Sequence, residues 1–149
     1  IERNYYGSVL ADGVDLGIVD AKKSVVVGLR APEKEEFSYL KKHGIKTITS
    51  NDVVDNGILK TFSQIRKTVK KGNVYLSIDL DVLDPAFAPA VSAPVPGGLT
   101  SNAVISLANK VAKLGLVGFD MMELTPKYDM QEMTADLAGR IMLEVISNI

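Results

Sequence analysis

The chain has no cysteine and a single histidine, His43, in 149 residues. The absence of cysteine excludes disulfides and thiolate metal sites and is compatible with a reducing compartment. His43 precedes Gly44, a residue type that ends helices, so it reads as a helix C-terminal cation rather than as a metal ligand. Charge of one sign is also scarce. The formal net charge is −1, which leaves no broad basic field to recruit nucleic acid. No apolar run approaches the roughly 20 residues needed to cross a bilayer, and no signal-peptide pattern opens the sequence. The expectation is a soluble cytoplasmic protein with no membrane and no nucleic-acid partner. Neither Gly-x-Gly-x-x-Gly nor Gly-x-x-x-x-Gly-Lys-Ser/Thr occurs, so a phosphate-cradling domain is disfavoured. There is no internal repeat, low-complexity segment or linker.

What is present is enough for about one domain, with 46% hydrophobic residues. Short apolar runs at 25–29 and 45–49 predict buried strands, and 116–122 predicts another. Pro32 opens a helix at its first turn, with Phe37 and Leu40 on the inner face and Gly44 at its end. Ser50 or Asn51 caps a second helix carrying Ile58, Phe62, Ile65 and Val69, with Gly57 as an interruption. Thr100 or Ser101 caps a third. Asp129 with Glu132 approaches a capping box ahead of a last helix bearing Ala138, Ile141 and Val145. Met121, Met122, Met130 and Met133 read as packing residues, and Lys67, Lys70 and Lys71 as a solvated helix end. Residues 1–23 give no clear assignment beyond a polar turn at 20–23. The alternation predicts an α/β fold, a mainly parallel sheet with helices on both faces in three α/β/α layers, whose ligands bind outside the carboxyl ends of the strands.

The most informative stretch is Ser77-Ile-Asp79-Leu-Asp81-Val-Leu-Asp84-Pro85. Tyr75, Ser77, Asp79 and Asp81 alternate with Val74, Leu76, Ile78 and Leu80, which is strand periodicity. It places Asp79 and Asp81 on one face, where two ionised carboxylates repel unless a cation lies between them. A single aspartate at a strand end reads as a turn or a cap. Three within six residues, two sharing a face, favour a divalent metal site. Glu123, at the end of the following strand, brings a third acid to the same edge. The loop 82–99 is stiffened by Pro85, Pro89, Pro94 and Pro96 and reads as a rigid wall beside that edge.

Residues 77–89, with Pro94 and Gly97-Gly98-Leu99, resemble the C-terminal signature of the ureohydrolases, the family of arginase, agmatinase and formimidoylglutamase. Asp120-Met-Met-Glu123-Leu-Thr-Pro126 resembles the same family's Glu-x-x-Pro segment. The resemblance implies an arginase-like fold, here the C-terminal portion (1–149) of a single domain, and two manganese ions. It implies that Asp79 bridges both metals, that Asp81 binds one, and that Ser77 and Asp84 orient these ligands. Glu123 becomes the candidate catalytic residue, holding the substrate guanidinium. A hydroxide bridging the two ions would attack the guanidinium carbon and release urea. A homo-oligomer, trimer or hexamer, is implied as well.

The sequence departs from the family in lacking Gly-Gly-x-His-Ser and Asp-Ala-His-x-Asp, which carry further ligands. The 149 residues alone are therefore expected to be inactive. Tyr6 stands where the family often has a proton-shuttling histidine, and Ser92-Ala93-Pro94 is similar to formimidoylglutamases. Gly28-Leu29-Arg30 is followed by Ala-Pro-Glu, without the Asp-x-Asp that arginases use for the amino-acid end of arginine. That favours agmatine, converted to putrescine and urea. The alternatives are arginase or formimidoylglutamase activity, or a non-catalytic metal-binding member.

Overall fold

Each predicted strand appears, and the strands pair two by two. In the computed structural model, which describes residues 6–149 apart from the side chain of Tyr6, β1 (Val25–Leu29) lies parallel to β2 (Lys46–Thr49). Likewise β3 (Val74–Asp79) lies parallel to β4 (Leu116–Met122), with Val74 opposite Leu116 and Asp79 opposite Met122. The parallel pairs and their crossover helices make an α/β fold, as expected. The expected single sheet is divided into two two-stranded sheets.

The helices are α1 (Val9–Asp15), α2 (Lys34–His43), α3 (Ser50–Val69), α4 (Ser101–Ala112) and α5 (Met133–Ile146). Of these, α1 lies in the stretch that carried no assignment. It is tied to α2 by Tyr39, whose hydroxyl donates to Asp15 Oδ1 at 2.7 Å and whose ring stacks on His43. Helix α2 begins two residues after Pro32, so proline precedes the first turn instead of occupying it. Its start is held by Glu36, which accepts from the Glu33 amide at 3.1 Å. It ends at Gly44 with φ +70°, a backbone that glycine adopts at little cost. Phe37 is exposed, and only Leu40 of the expected inner pair is buried.

The cap of α3 is Thr49, one residue before the expected position. Its Oγ1 accepts from the Asp52 amide at 3.0 Å, and Asp52 accepts from the Thr49 amide at 2.8 Å. Ser50 is buried and its hydroxyl donates to the Gly28 carbonyl at 2.9 Å. Gly57 (φ +70°, ψ 167°) does break the helix, as the sequence predicts. Thr100 caps α4 by accepting from the Ala103 amide. Asp129 serves α5 from a distance, accepting from the amides of Thr134 at 3.0 Å and Ala135 at 2.9 Å, without a reciprocal bond from Glu132.

Helix α3 packs on β1, β2 and α4, and α4 packs on α5. The core runs through Ile48, Ile65, Ile78, Leu80, Leu107, Ile141 and Val145. The loop 82–99 belongs to it, for Leu83, Ala88, Ala90 and Leu99 are almost wholly buried. Met121 packs against this core, whereas Met130 (69% exposed) and Met133 (48%) face outward, contrary to their reading as packing residues. Met130 lies on the 130–132 turn and Met133 opens α5. No helix among the described residues is long and apolar enough to cross a membrane.

Candidate functional site

Strand β3 alternates as its sequence requires. Val74 and Ile78 are buried, while Tyr75, Ser77 and Asp79 point the other way and are exposed. The strand stops at Asp79. Leu80–Val82 form a 3₁₀ turn, so Asp81 sits on that turn and not on the strand face that periodicity assigned to it. Leu80 is fully buried and anchors the turn. Asp79 Oδ1 accepts from the Asp81 amide at 2.8 Å, which fixes the two acids relative to each other through the main chain. The Asp81 carboxylate makes a long contact, 3.4 Å, with the Ala93 amide of the loop.

Glu123 follows β4 directly and completes the acidic edge. It has φ +73°, an uncommon backbone for a residue with a Cβ, of the kind that surrounding structure must hold in place. Since β3 and β4 are paired, the parallel register alone delivers Glu123 beside the end of β3.

The electrostatics follow. Partial burial raises the pKa of Asp79, and repulsion from Asp81 and Glu123 adds to it, against the Asp81 amide and the Arg30 charge. Asp81 is raised chiefly by burial and also by Glu123. Three acidic side chains crowd one edge, and Asp79 and Asp81 are both made less willing to ionise. Asp84 behaves in the opposite way. Its Oδ1 accepts from the Ala86 amide at 3.0 Å and its Oδ2 from Gly97 at 2.8 Å and Gly98 at 3.2 Å, and these bonds hold its pKa below the ordinary value.

Asp84 therefore staples the two ends of the loop, and its bonds go to main-chain amides instead of to Asp79 or Asp81. Ser77 likewise turns away from Asp79. Its hydroxyl donates to Asp120 Oδ1 at 2.8 Å, and the Tyr75 hydroxyl donates to Asp120 Oδ2 at 2.7 Å. Asp120 and Arg30 are the polar residues that sequence reasoning passed over. Asp120 carried a signal, because its parity on β4 matches that of Ser77 across the pair. The side chain of Tyr6 lies outside the described residues.

Asp79 and Asp81 offer hard oxygen donors in mutually repelling positions, and that chemistry fits a divalent cation. They form only part of a coordination shell. Among the described residues no group of three or more His, Asp or Glu side chains is gathered closely enough to enclose a metal.

Comparison with known proteins identifies the family. The arginase family model matches residues 2–147. Proclavaminate amidinohydrolase of Streptomyces clavuligerus is 37% identical over 97% of this chain and 47% of its own length. An agmatinase of Chromobacterium violaceum is 36% identical over 95% of this chain and 42% of its own. The solved structure of the Streptomyces clavuligerus enzyme superposes with a TM-score of 0.92 over 98% of this chain and 49% of that one. The chain thus spans about half the length of the curated relatives it matches. With the family model spanning residues 2–147 and relatives aligned along nearly all of its length in sequence and fold, the chain belongs to the arginase family.

Proposed function

We propose that these residues form part of the active site of a metal-dependent hydrolase acting on a guanidino substrate, with agmatine as that substrate. The observation that carries this is the convergence of Asp79, Asp81 and Glu123 on the carboxyl edge of β3 and β4. In parallel α/β structures that edge is where ligands bind. Asp79 and Asp81 would supply oxygen ligands to manganese, with the remaining donors coming from outside the described residues. A bound divalent cation supplies Lewis acidity, which makes water a nucleophile near neutral pH.

Glu123 would do a separate task. Its carboxylate would accept from the substrate's planar guanidinium, fixing the carbon for attack. Water adds to that carbon and the bond to the chain nitrogen breaks. That nitrogen leaves as the amine with a proton taken from the water, so agmatine and water give putrescine and urea. Leu83 and Ala90 are buried and anchor the 82–99 loop beside that edge. Agmatine is preferred over arginine because Ala31-Pro32-Glu33 provides no Asp-x-Asp for an amino-acid end. The similar relatives named agmatinase support the same choice.

Urea release by the intact protein tests the proposal, with agmatine, arginine, guanidinobutyrate and formimidoylglutamate assayed side by side after chelation and manganese addition. Turnover of agmatine above the others, dependent on added metal, is the expected result. A preference for arginine would overturn the substrate, and hydrolysis of none of the four would overturn the activity.

A further inference from the structure

Arg30 lies one residue beyond β1 and reaches across to the acidic edge. Its Nε donates to the Val95 carbonyl at 3.0 Å, and its Nη2 donates to the Asp81 carbonyl and, at 3.4 Å, to the Leu83 carbonyl. The partners are 51, 53 and 65 residues away in sequence. One of them is on Asp81 itself, within the 80–82 turn, the second is on Leu83, which ends that turn, and the third lies near the far end of the 82–99 loop.

The end of β1 is shaped for this reach. Its register with β2 slips between Val27 and Leu29, and Gly28 at the slip has φ +79°. A bulge of this kind re-aims the side chains that follow it. A Cβ on Gly28 would fall 2.3 Å from Val82 Cγ2, so the strand end lies directly against the 80–82 turn. Buried Ser50 holds the Gly28 carbonyl, which secures the bulge from below.

The choice of arginine follows from the partners. Three carbonyls in different directions call for several donors in a fixed plane, which a guanidinium has and a lysine ammonium lacks. The charge also faces Asp79, Asp81 and Asp84 and is attractive toward each.

We propose that Arg30 is a positioning residue for the acidic edge: its three-carbonyl clasp holds the peptide that carries Asp81 and pins the far end of the 82–99 loop beside it. The clasp holds the Asp81 carbonyl and so reinforces the bond from the Asp81 amide to Asp79. Only the consequence for metal binding rests on the function proposed above.

The test compares the wild-type intact protein with Arg30→Lys and Arg30→Gln. Hydrogen exchange is followed at the Gly97, Gly98 and Leu99 amides, with α4 and α5 as internal references. Exchange at the loop amides is expected to rise at least ~10-fold in both variants while α4 and α5 stay protected. The dissociation constant for manganese, measured by calorimetry, is expected to rise about 10–100-fold in both, the usual cost of losing a group that orients ligands. Loop amides that exchange as in the wild type, or complete restoration by lysine, would overturn the clasp. Should the wild type bind no manganese, the proposed function fails while the exchange result still judges the clasp. Should both variants unfold, the wild type decides alone. Its Arg30 Nε–H is expected to exchange slowly by NMR, and a fast-exchanging signal would overturn the assignment.

Discussion

Gly98 lies against the backbone of Asp84 so closely that an added Cβ would stand 2.4 Å from the Asp84 nitrogen and 2.6 Å from the Leu83 oxygen. These are main-chain atoms, so no side chain can swing aside. The Asp84 side chain accepts from the Gly98 amide, and the Asp84 amide donates to the Leu99 carbonyl at 2.9 Å. The two ends of the loop are therefore zipped together, and glycine is what permits the approach. Gly98→Ala is expected to destabilise the protein by about 1–3 kcal/mol through forced backbone displacement. Thermal unfolding measures it. Gly97→Ala offers a contrast, since its Cβ meets nothing within 4 Å and its cost arises from a φ of +84° alone. Equal stability of Gly98→Ala and wild type would contradict the close approach.

Asp79 gives a pH signature. Its pKa in the folded chain is raised above the ordinary 3.8, mainly by partial burial. Between those two values the folded state binds more protons than the unfolded state, so stability falls as pH rises through the window. Above the raised pKa the full penalty is present, and below 3.8 it vanishes. Asp79→Asn removes the charge and keeps an oxygen for the Asp81 amide. The metal-free variant is expected to melt about 1–3 °C above wild type at pH 7, with the gap closing in acid. A variant less stable than wild type at neutral pH would show that the carboxylate is favourably held.

Asp84 carries the opposite sign. Its pKa is lowered by the amides of Ala86, Gly97 and Gly98. The stability it contributes is present above 3.8 and is lost as pH falls through the depressed value. Asp84→Asn is expected to lower the melting temperature at pH 7 and to flatten its fall in acid. A melting curve whose pH dependence matches wild type would sink this account.

Glu123 separates binding from stability. Glu123→Gln keeps the shape and removes the charge, so the fold should hold within about 0.5 kcal/mol. Loss of a charged hydrogen bond to a guanidinium, about 1.5–3 kcal/mol, should lower kcat/KM of the intact protein roughly 10- to 100-fold. Glu123→Val should destabilise by about 1–2 kcal/mol, because a β-branched side chain resists φ +73°. Undiminished kcat/KM in the glutamine variant would remove Glu123 from the substrate site.

Ile141 has no exposed surface and sits where α5 meets the core. Ile141→Ala is expected to cost about 2–5 kcal/mol, measured by denaturant titration. Leu143→Ala on the exposed side of the same helix should cost far less, since Leu143 is 60% exposed.

Much of this was legible from residue order. The strands, most of the helices, the break at Gly57 and the helix-ending Gly44 follow from spacing and from which backbones each residue tolerates. The candidate site was legible in part. Asp79, Asp81 and Glu123 do share an edge, but strand alternation carried two residues too far and placed Asp81 on the strand instead of the turn. The periodic signal does not distinguish a strand from a tight turn when Leu80 is buried in either case. Tyr39 of α2, whose hydroxyl reaches Asp15 of α1, and Arg30, whose carbonyl partners are distant in sequence, gave no local sign of their partners.

Residue order by itself determined the elements, the acidic composition of the edge and the family to which the chain belongs, because periodicity, turn chemistry and motifs operate over a few neighbouring residues. The tertiary structure alone decided what Ser77, Asp84 and Arg30 hold. The Arg30 clasp spans more than 50 residues of chain, and a donor chooses among distant carbonyls only after packing has brought them within reach.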